Sequence, residues 1–226
     1  MIRAVIFDMF ETLITHYNCS LYFGAQMAAD AGISELNFQS LWHSTEYDRS
    51  VGNVTLEEVL EMIFRENQCY SPELVKKIAK KRTGVKEECF RHLHPEIIPM
   101  MQELKEKGYL VGLISNCFSE EAEVIRRSVL FPYFDVLMLS YEQGVQKPDT
   151  EIYHRCMEEL NVKPEECLYI GDGGSRELEA ARSLGMNTAQ AVWYLKEGTM
   201  HPVGRKNGFP QIEKPLDVFQ YLNEES

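Results

Sequence analysis

Four places along this 226-residue chain put chemistry-bearing side chains directly after short apolar runs or ahead of a helix start. Asp8 follows Ala4-Val5-Ile6-Phe7, Ser115 and Asn116 follow Val111-Gly112-Leu113-Ile114, and Asp172 follows Cys167-Leu168-Tyr169-Ile170-Gly171. Lys147 stands in Gly144-Val145-Gln146-Lys147-Pro148-Asp149. A carboxylate that ends a buried strand needs a task, because an unpaired buried charge is very costly. Two such acids, Asp8 and Asp172, together with waters suit the octahedral oxygen shell of Mg2+. The Ser115 hydroxyl and Asn116 amide can donate hydrogen bonds to an anion, and Lys147 can supply a positive centre. Taken singly, each has a plain reading: Asp8, Ser115 and Asn116 as turn residues, Lys147 as a solvated loop lysine. The glycines from Gly171 to Gly174 do not complete a dinucleotide-binding fingerprint, since Arg176 occupies the position of its last glycine.

These residues need a scaffold that brings strand ends together. The run Ala4–Phe7 reads as a strand buried on both faces, as in a parallel sheet. From Ser20 to about Phe90 the pattern is helical: Ser20 is placed as a cap for a helix stopped by Gly32, Thr55-Leu56-Glu57-Glu58 as a capping box, and Ser71-Pro72 as a helix opening. From Pro95 strands and helices alternate. Strands are expected at Leu110–Ile114, Val136–Leu139, Cys167–Ile170 and, last, Asn187–Val192. Asp149 and Ser175 are expected as helix caps. A long loop from Lys196 to Pro215 should precede a C-terminal helix. The fold class is therefore α/β, a Rossmann-like parallel sheet with an inserted all-helical unit.

Composition narrows the partners. A net charge of -12 argues against nucleic acid or an anionic membrane, and no segment approaches the roughly 18 apolar residues of a membrane span. The N-terminal apolar run is short and leads straight into Asp8, so no signal peptide is expected. Six cysteines without a C-x-x-C pair read as reduced thiols of a cytoplasmic protein. The expected partner is a small anionic substrate; the sequence assigns no oligomeric state. Arg49 is expected at the surface, and His92 and His94 in a solvated connection rather than a metal pair.

In order and spacing the four sites resemble the motifs of the haloacid dehalogenase superfamily. Asp8 and Thr12 match its first motif, Ser115 the second, Lys147 with Pro148 and Asp149 the third, and Asp172 with Glu177 the fourth. The resemblance implies a core of residues 1–15 and 92–226 and a mobile helical cap of residues 16–91. It further implies that Asp8 is the nucleophile of a covalent intermediate and that Ser115 and Lys147 hold the anionic group. Asp8, the Phe10 carbonyl and Asp172 would bind Mg2+, with Glu177 supporting the metal shell.

One position departs from the pattern. Family phosphatases carry an aspartate two residues after the nucleophile, where this chain has Phe10. General acid–base help is worth about 10²–10⁴-fold. The family's dehalogenases have an aromatic residue there, but they use no metal and have no need for Asp172. The expectation is a Mg2+-dependent phosphatase acting through an aspartyl-phosphate. The rivals are a 2-haloacid dehalogenase-like hydrolase using Asp8, and a phosphate-binding module whose catalysis has lapsed. A phosphonatase-like route needs a cap lysine, and the first lysine of the chain is Lys76.

Overall fold

The computed structural model describes residues 1–195 and 203–222. Its centre is β1 (Ala4–Phe7), every residue of which is buried. Alternation along the strand explains how: Val5 and Phe7 join one hydrophobic cluster, Ala4 and Ile6 another on the opposite face. After β1 come five helices: α1 (Gly24–Ala31), α2 (Glu35–Ser44), α3 (Glu46–Ser50), α4 (Leu56–Glu66) and α5 (Pro72–Cys89). They bury their own cluster around Phe38, Trp42, Leu60, Ile63, Phe64 and Ile78. Thr55 and Glu58 form the reciprocal capping box at the start of α4, and the Ser71 side chain caps α5 with Pro72 in its first turn.

The alternating part then runs α6 (Ile97–Glu106), β2 (Leu110–Ser115), α7 (Ser119–Arg127), β3 (Val136–Leu139), α8 (Ser140–Gln143), α9 (Thr150–Leu160), β4 (Cys167–Gly171), α10 (Glu177–Ser183), β5 (Asn187–Ala191) and β6 (Gln211–Ile212). All six strands are parallel, in the order β3-β2-β1-β4-β5-β6. Phe7 pairs with Leu113 on one side and Ile170 on the other, so the residues after β1, β2 and β4 emerge together at the carboxyl edge. That edge is where open α/β sheets bind ligands.

Four expectations change. The first helix starts at Gly24 rather than Ser20, with Phe23 as its N-cap. Ser175 does not cap a helix: Ser175 and Arg176 both have positive φ, 50° and 52°, and α10 starts only at Glu177. A sixth strand lies inside the segment read as loop, of which residues 196–202 fall outside the description. The C-terminal helix is a 3-10 helix at Pro215–Tyr221. Among the described residues no helix is long and apolar enough to cross a membrane.

Candidate active site at the carboxyl edge

Asp8 leaves β1 with its backbone N–H bonded to the Ile170 carbonyl, 2.9 Å. A tight turn follows, in which Leu13 and Ile14 both donate to the Met9 carbonyl and Glu11 adopts φ +63°. The turn carries Thr12 back so that its hydroxyl donates to Asp8 Oδ2 at 3.0 Å. The other carboxylate oxygen, Oδ1, accepts from Lys147 Nζ at 2.6 Å. Lys147 is 2 % exposed and also reaches the Glu177 carboxylate and the Tyr169 hydroxyl. Tyr169 in turn donates to Glu177 Oε2 at 2.8 Å.

Asp172 faces this group from the end of β4. Its Oδ1 accepts the Gly174 N–H at 2.7 Å, and its carbonyl accepts from Gln190 Nε2. Ligand oxygens of Asp8, Asp172 and Glu177 all lie within 4.8 Å of one another, and all three residues are buried. Gly171 leaves the space for Glu177, since a Cβ there would sit 2.0 Å from Glu177 Oε1. Burial pushes the Asp8 carboxyl up to about 7, Lys147 working against the rise and Glu177 adding to it. Burial, then the charges of Glu177 and Asp8, push Asp172 up to about 8. Burial pulls the Lys147 ammonium down, but Asp8 and Glu177 outweigh it and hold it above its ordinary value. Lys147 pairs with two of the three carboxyl groups, Asp8 and Glu177. A hard divalent cation, which favours carboxylate oxygens, fits this donor set and removes the repulsion.

Ser115 closes β2 fully buried, its hydroxyl 3.5 Å from the Asn116 carbonyl. Asn116 bridges to the Lys147 backbone and places Nδ2 3.4 Å from Ser175 Oγ. Phe10 stacks on His16, ring centroids 4.9 Å apart and planes 10° off parallel. His16 and Phe10 line a cavity of about 910 Å³ together with Tyr47, Asn116, Phe118 and Lys147. Of the five helices, α2 and α3 line this cavity, through His43, Ser44, Glu46, Tyr47 and Ser50.

Several residues here were not singled out by the sequence. Lys86 places Nζ 2.6 Å from His16 Nε2 and 2.7 Å from Glu121 Oε1. An ammonium has only donors, so Nε2 accepts and the ring proton sits on Nδ1, which faces Glu11 Oε1 at 3.2 Å. Burial and the Lys86 charge hold His16 below its ordinary value, so the ring is neutral. Arg82 pairs with Glu120 at 2.5 Å, which joins α5 to α7. A signal existed: Val75, Ile78, Ala79, Arg82, Lys86 and Cys89 form one buried stripe at helical spacing. Arg49 corrects the surface expectation. It is 2 % exposed, 3.6 Å over Trp42 and 4.1 Å over Phe118, and it donates to the Trp42 carbonyl.

The family model for haloacid dehalogenase-like hydrolases matches residues 2–185. This chain belongs to that family. Among relatives, it is 27% identical to a glyceraldehyde 3-phosphate phosphatase of Methanopyrus kandleri, over 99% of this chain and 98% of that protein. It is 32% identical to the rhythmically expressed gene 2 protein of Drosophila melanogaster over 50% of this chain, spanning only 46% of that relative. In fold it is similar to a phosphatase of the family from Thermococcus onnurineus, at TM-score 0.70 and 20% identity, with 99% of each chain covered. A 2-haloacid dehalogenase from Pseudomonas syringae superposes with TM-score 0.69 at 19% identity over all of both chains. Both reactions are therefore compatible with the fold of this hydrolase.

Proposed function

We propose that this hydrolase is a Mg2+-dependent phosphatase of small phosphorylated metabolites, with residues 16–91 acting as a cap over a core of 1–15 and 92–226. The observation that carries the reading is the buried trio Asp8, Asp172 and Glu177, with Lys147 paired to Asp8 and Glu177. A dehalogenase that works without metal gains nothing from Asp172 at this position. The relative matched along its whole length is named a phosphatase, which supports the same choice.

In this reading an Asp8 oxygen attacks phosphorus, the P–O bond to the leaving alkoxide breaks, the alkoxide takes a proton from solvent, and an aspartyl-phosphate remains. Water then attacks phosphorus and gives a proton to solvent, returning the Asp8 carboxylate and releasing phosphate. Thr12 and Lys147 hold the carboxylate in position for the first step. Lys147, Ser115 and Asn116 hold the phosphoryl oxygens. Asp8, the Phe10 carbonyl and Asp172 would hold Mg2+, which would supply charge neutralisation on the phosphoryl oxygens. Glu177 supports from behind, fixed by Tyr169 and the Gly173 N–H.

Phe10 alone favours the dehalogenase reading, because a departing halide needs no proton. A screen of phosphorylated metabolites with and without Mg2+, run beside chloride release from 2-chloropropionate, separates the two. Phosphate release that requires Mg2+ and vanishes in Asp8→Asn is expected. Chloride release without metal would overturn the reading, and binding of phosphate with no turnover of any compound would favour a lapsed module.

A further inference from the structure

The two chain crossings between the sheet and the helical unit each carry a cysteine, and the two sulfurs meet. Cys19 follows the 3-10 turn His16–Asn18 on the outgoing crossing, and Cys89 is the last residue of α5 on the return. Their Sγ atoms are 2.7 Å apart across 70 residues of sequence. Both belong to the cluster on the sheet face that also holds Phe7, Leu13 and Phe90, not to the cluster inside the helices. Each thiol donates within its own crossing, Cys19 to the His16 carbonyl and Cys89 to the Val85 carbonyl. The pair also differs in access: Cys19 is partly exposed while Cys89 is fully buried.

We propose that Cys19 and Cys89 are an oxidative modification site, a thiol pair that hydrogen peroxide converts to a disulfide tying the two crossings together. Cys19, the accessible sulfur, attacks one peroxide oxygen as the O–O bond breaks, giving a sulfenic acid and water. The Cys89 sulfur then displaces hydroxide from that sulfenic acid, which leaves as water with the thiol proton. Two thiols lose two electrons and two protons, and one peroxide becomes two waters. The partner lies within reach of the first product, so condensation needs no large movement. Burial raises the Cys89 thiol, which suits the resolving rather than the attacking role.

The site lies about one helical turn from His16, which lines the cavity, and from Lys86, which touches His16. His16 is three residues before Cys19, Lys86 three before Cys89, and the two side chains touch at 2.6 Å. A bridge at the crossings restrains the hinge on which the proposed cap would swing, so it should slow turnover reversibly. This part rests on the phosphatase reading; the bridge itself does not.

The test treats the full-length protein with hydrogen peroxide and maps peptides without reduction. A Cys19–Cys89 linked peptide, lost on dithiothreitol and absent from Cys19→Ser, is expected. The bridged protein should also melt at higher temperature, because the bridge closes a long loop of the unfolded chain. In parallel, hydrolysis of p-nitrophenyl phosphate should fall in the oxidised wild type and recover with dithiothreitol, while Cys19→Ser keeps its rate through the treatment. Cys19 oxidised to sulfinic acid, or linked elsewhere, with no Cys19–Cys89 peptide would overturn the proposal. A linked peptide in protein whose melting temperature and turnover are unchanged would uphold the bridge and overturn the restraint on turnover. Protein that forms the linked peptide, melts higher and hydrolyses no phosphate ester would uphold the bridge and count against the phosphatase reading.

Discussion

Asn116 grips the backbone of Lys147 with both ends of its amide: Nδ2 donates to the Lys147 carbonyl at 3.0 Å, and Oδ1 accepts the Lys147 N–H at 2.8 Å. The residue after β2 thus fixes the main chain that carries the site's lysine from the far side of β3. In Asn116→Ala that loop loses both bonds. Turnover should fall by about 10²-fold, as expected for an angstrom-scale misplacement of a catalytic group, while the fold persists. Steady-state kinetics and circular dichroism check this; a rate within twofold of wild type would remove the proposed positioning role.

Removing the lysine itself should cost stability in a pH-dependent way. Lys147→Met leaves the Asp8 and Glu177 oxygens facing each other with no cation between them. Losing one partner of a buried ion pair costs about 3–5 kcal/mol. That loss should be largest near pH 8 and shrink toward pH 5, where Asp8 takes up a proton. Urea melts of wild type and variant at the two pH values measure it. Activity should drop by about 10²–10³-fold, the usual cost of one charge-stabilising donor.

The metal-free enzyme should lose stability as pH rises from about 5 to 8. Asp8 and Asp172 have folded values of about 7 and about 8 against an ordinary 3.8. Folding therefore raises both, so their contribution is full below the ordinary value and is lost as pH climbs through the folded ones. Glu121 has the opposite sign. Burial would raise it, but Lys86 and Arg82 pull it down to about 2, so its contribution is lost only in acid. Mg2+ needs ionised carboxylates, and its stabilising effect should grow over the same window. Thermal melts from pH 4 to 9 with and without Mg2+ give both signs; a metal-free melting temperature that climbs between pH 6 and 8 would contradict them.

Mg2+ binding should require Asp172. Calorimetric titration of wild type and Asp172→Ala should show a site in the first and none in the second. Equal binding by both proteins would move the metal elsewhere.

Phe10 should leave its mark on substrate preference. With no acid at that position, aryl and acyl phosphates should outpace alkyl phosphates, whose leaving groups need a proton. Phe10→Asp should speed alkyl phosphates by up to about 10²-fold and aryl phosphates little. The new carboxylate would find cationic company, since Lys86 Nζ lies 5.6 Å from the Phe10 ring centre. The ratio of kcat/KM for one aryl and one alkyl phosphate, on variant protein of checked melting temperature, is the measurement. Wild-type rates indifferent to the leaving group would point to another proton source, such as His16, which stacks on Phe10.

The parallel sheet was legible because apolar runs such as Ala4–Phe7 and Leu110–Ile114 read as strands buried on both faces, and the residues closing them were polar. Asp8, Ser115 and Asp172 were found by that contrast. Lys86 and Glu121 escaped because a lone charge on a helix ordinarily faces water, and only the pairing of α5 with α7 makes both buried. Arg49 escaped for the same reason: its charge lies against the faces of Trp42 and Phe118, the latter 69 positions away. The boundary of α10 was misplaced because Ser175 carries the composition of a cap but takes a left-handed conformation that sequence seldom reveals in a serine. β6 is two residues long, too short for any alternation to register.

The contact between α5 and α7 is sealed by Arg82 and Lys86 on one side and Glu120 and Glu121 on the other. A joint of this kind parts differently from one made of aliphatic side chains. Its charged ends, once separated, are welcomed by water, so this part of the contact offers neighbouring copies less bare hydrocarbon than an aliphatic joint would. The four charged side chains are only 4–6% exposed, so dissolved ions screen the closed joint far less than they would a surface ion pair.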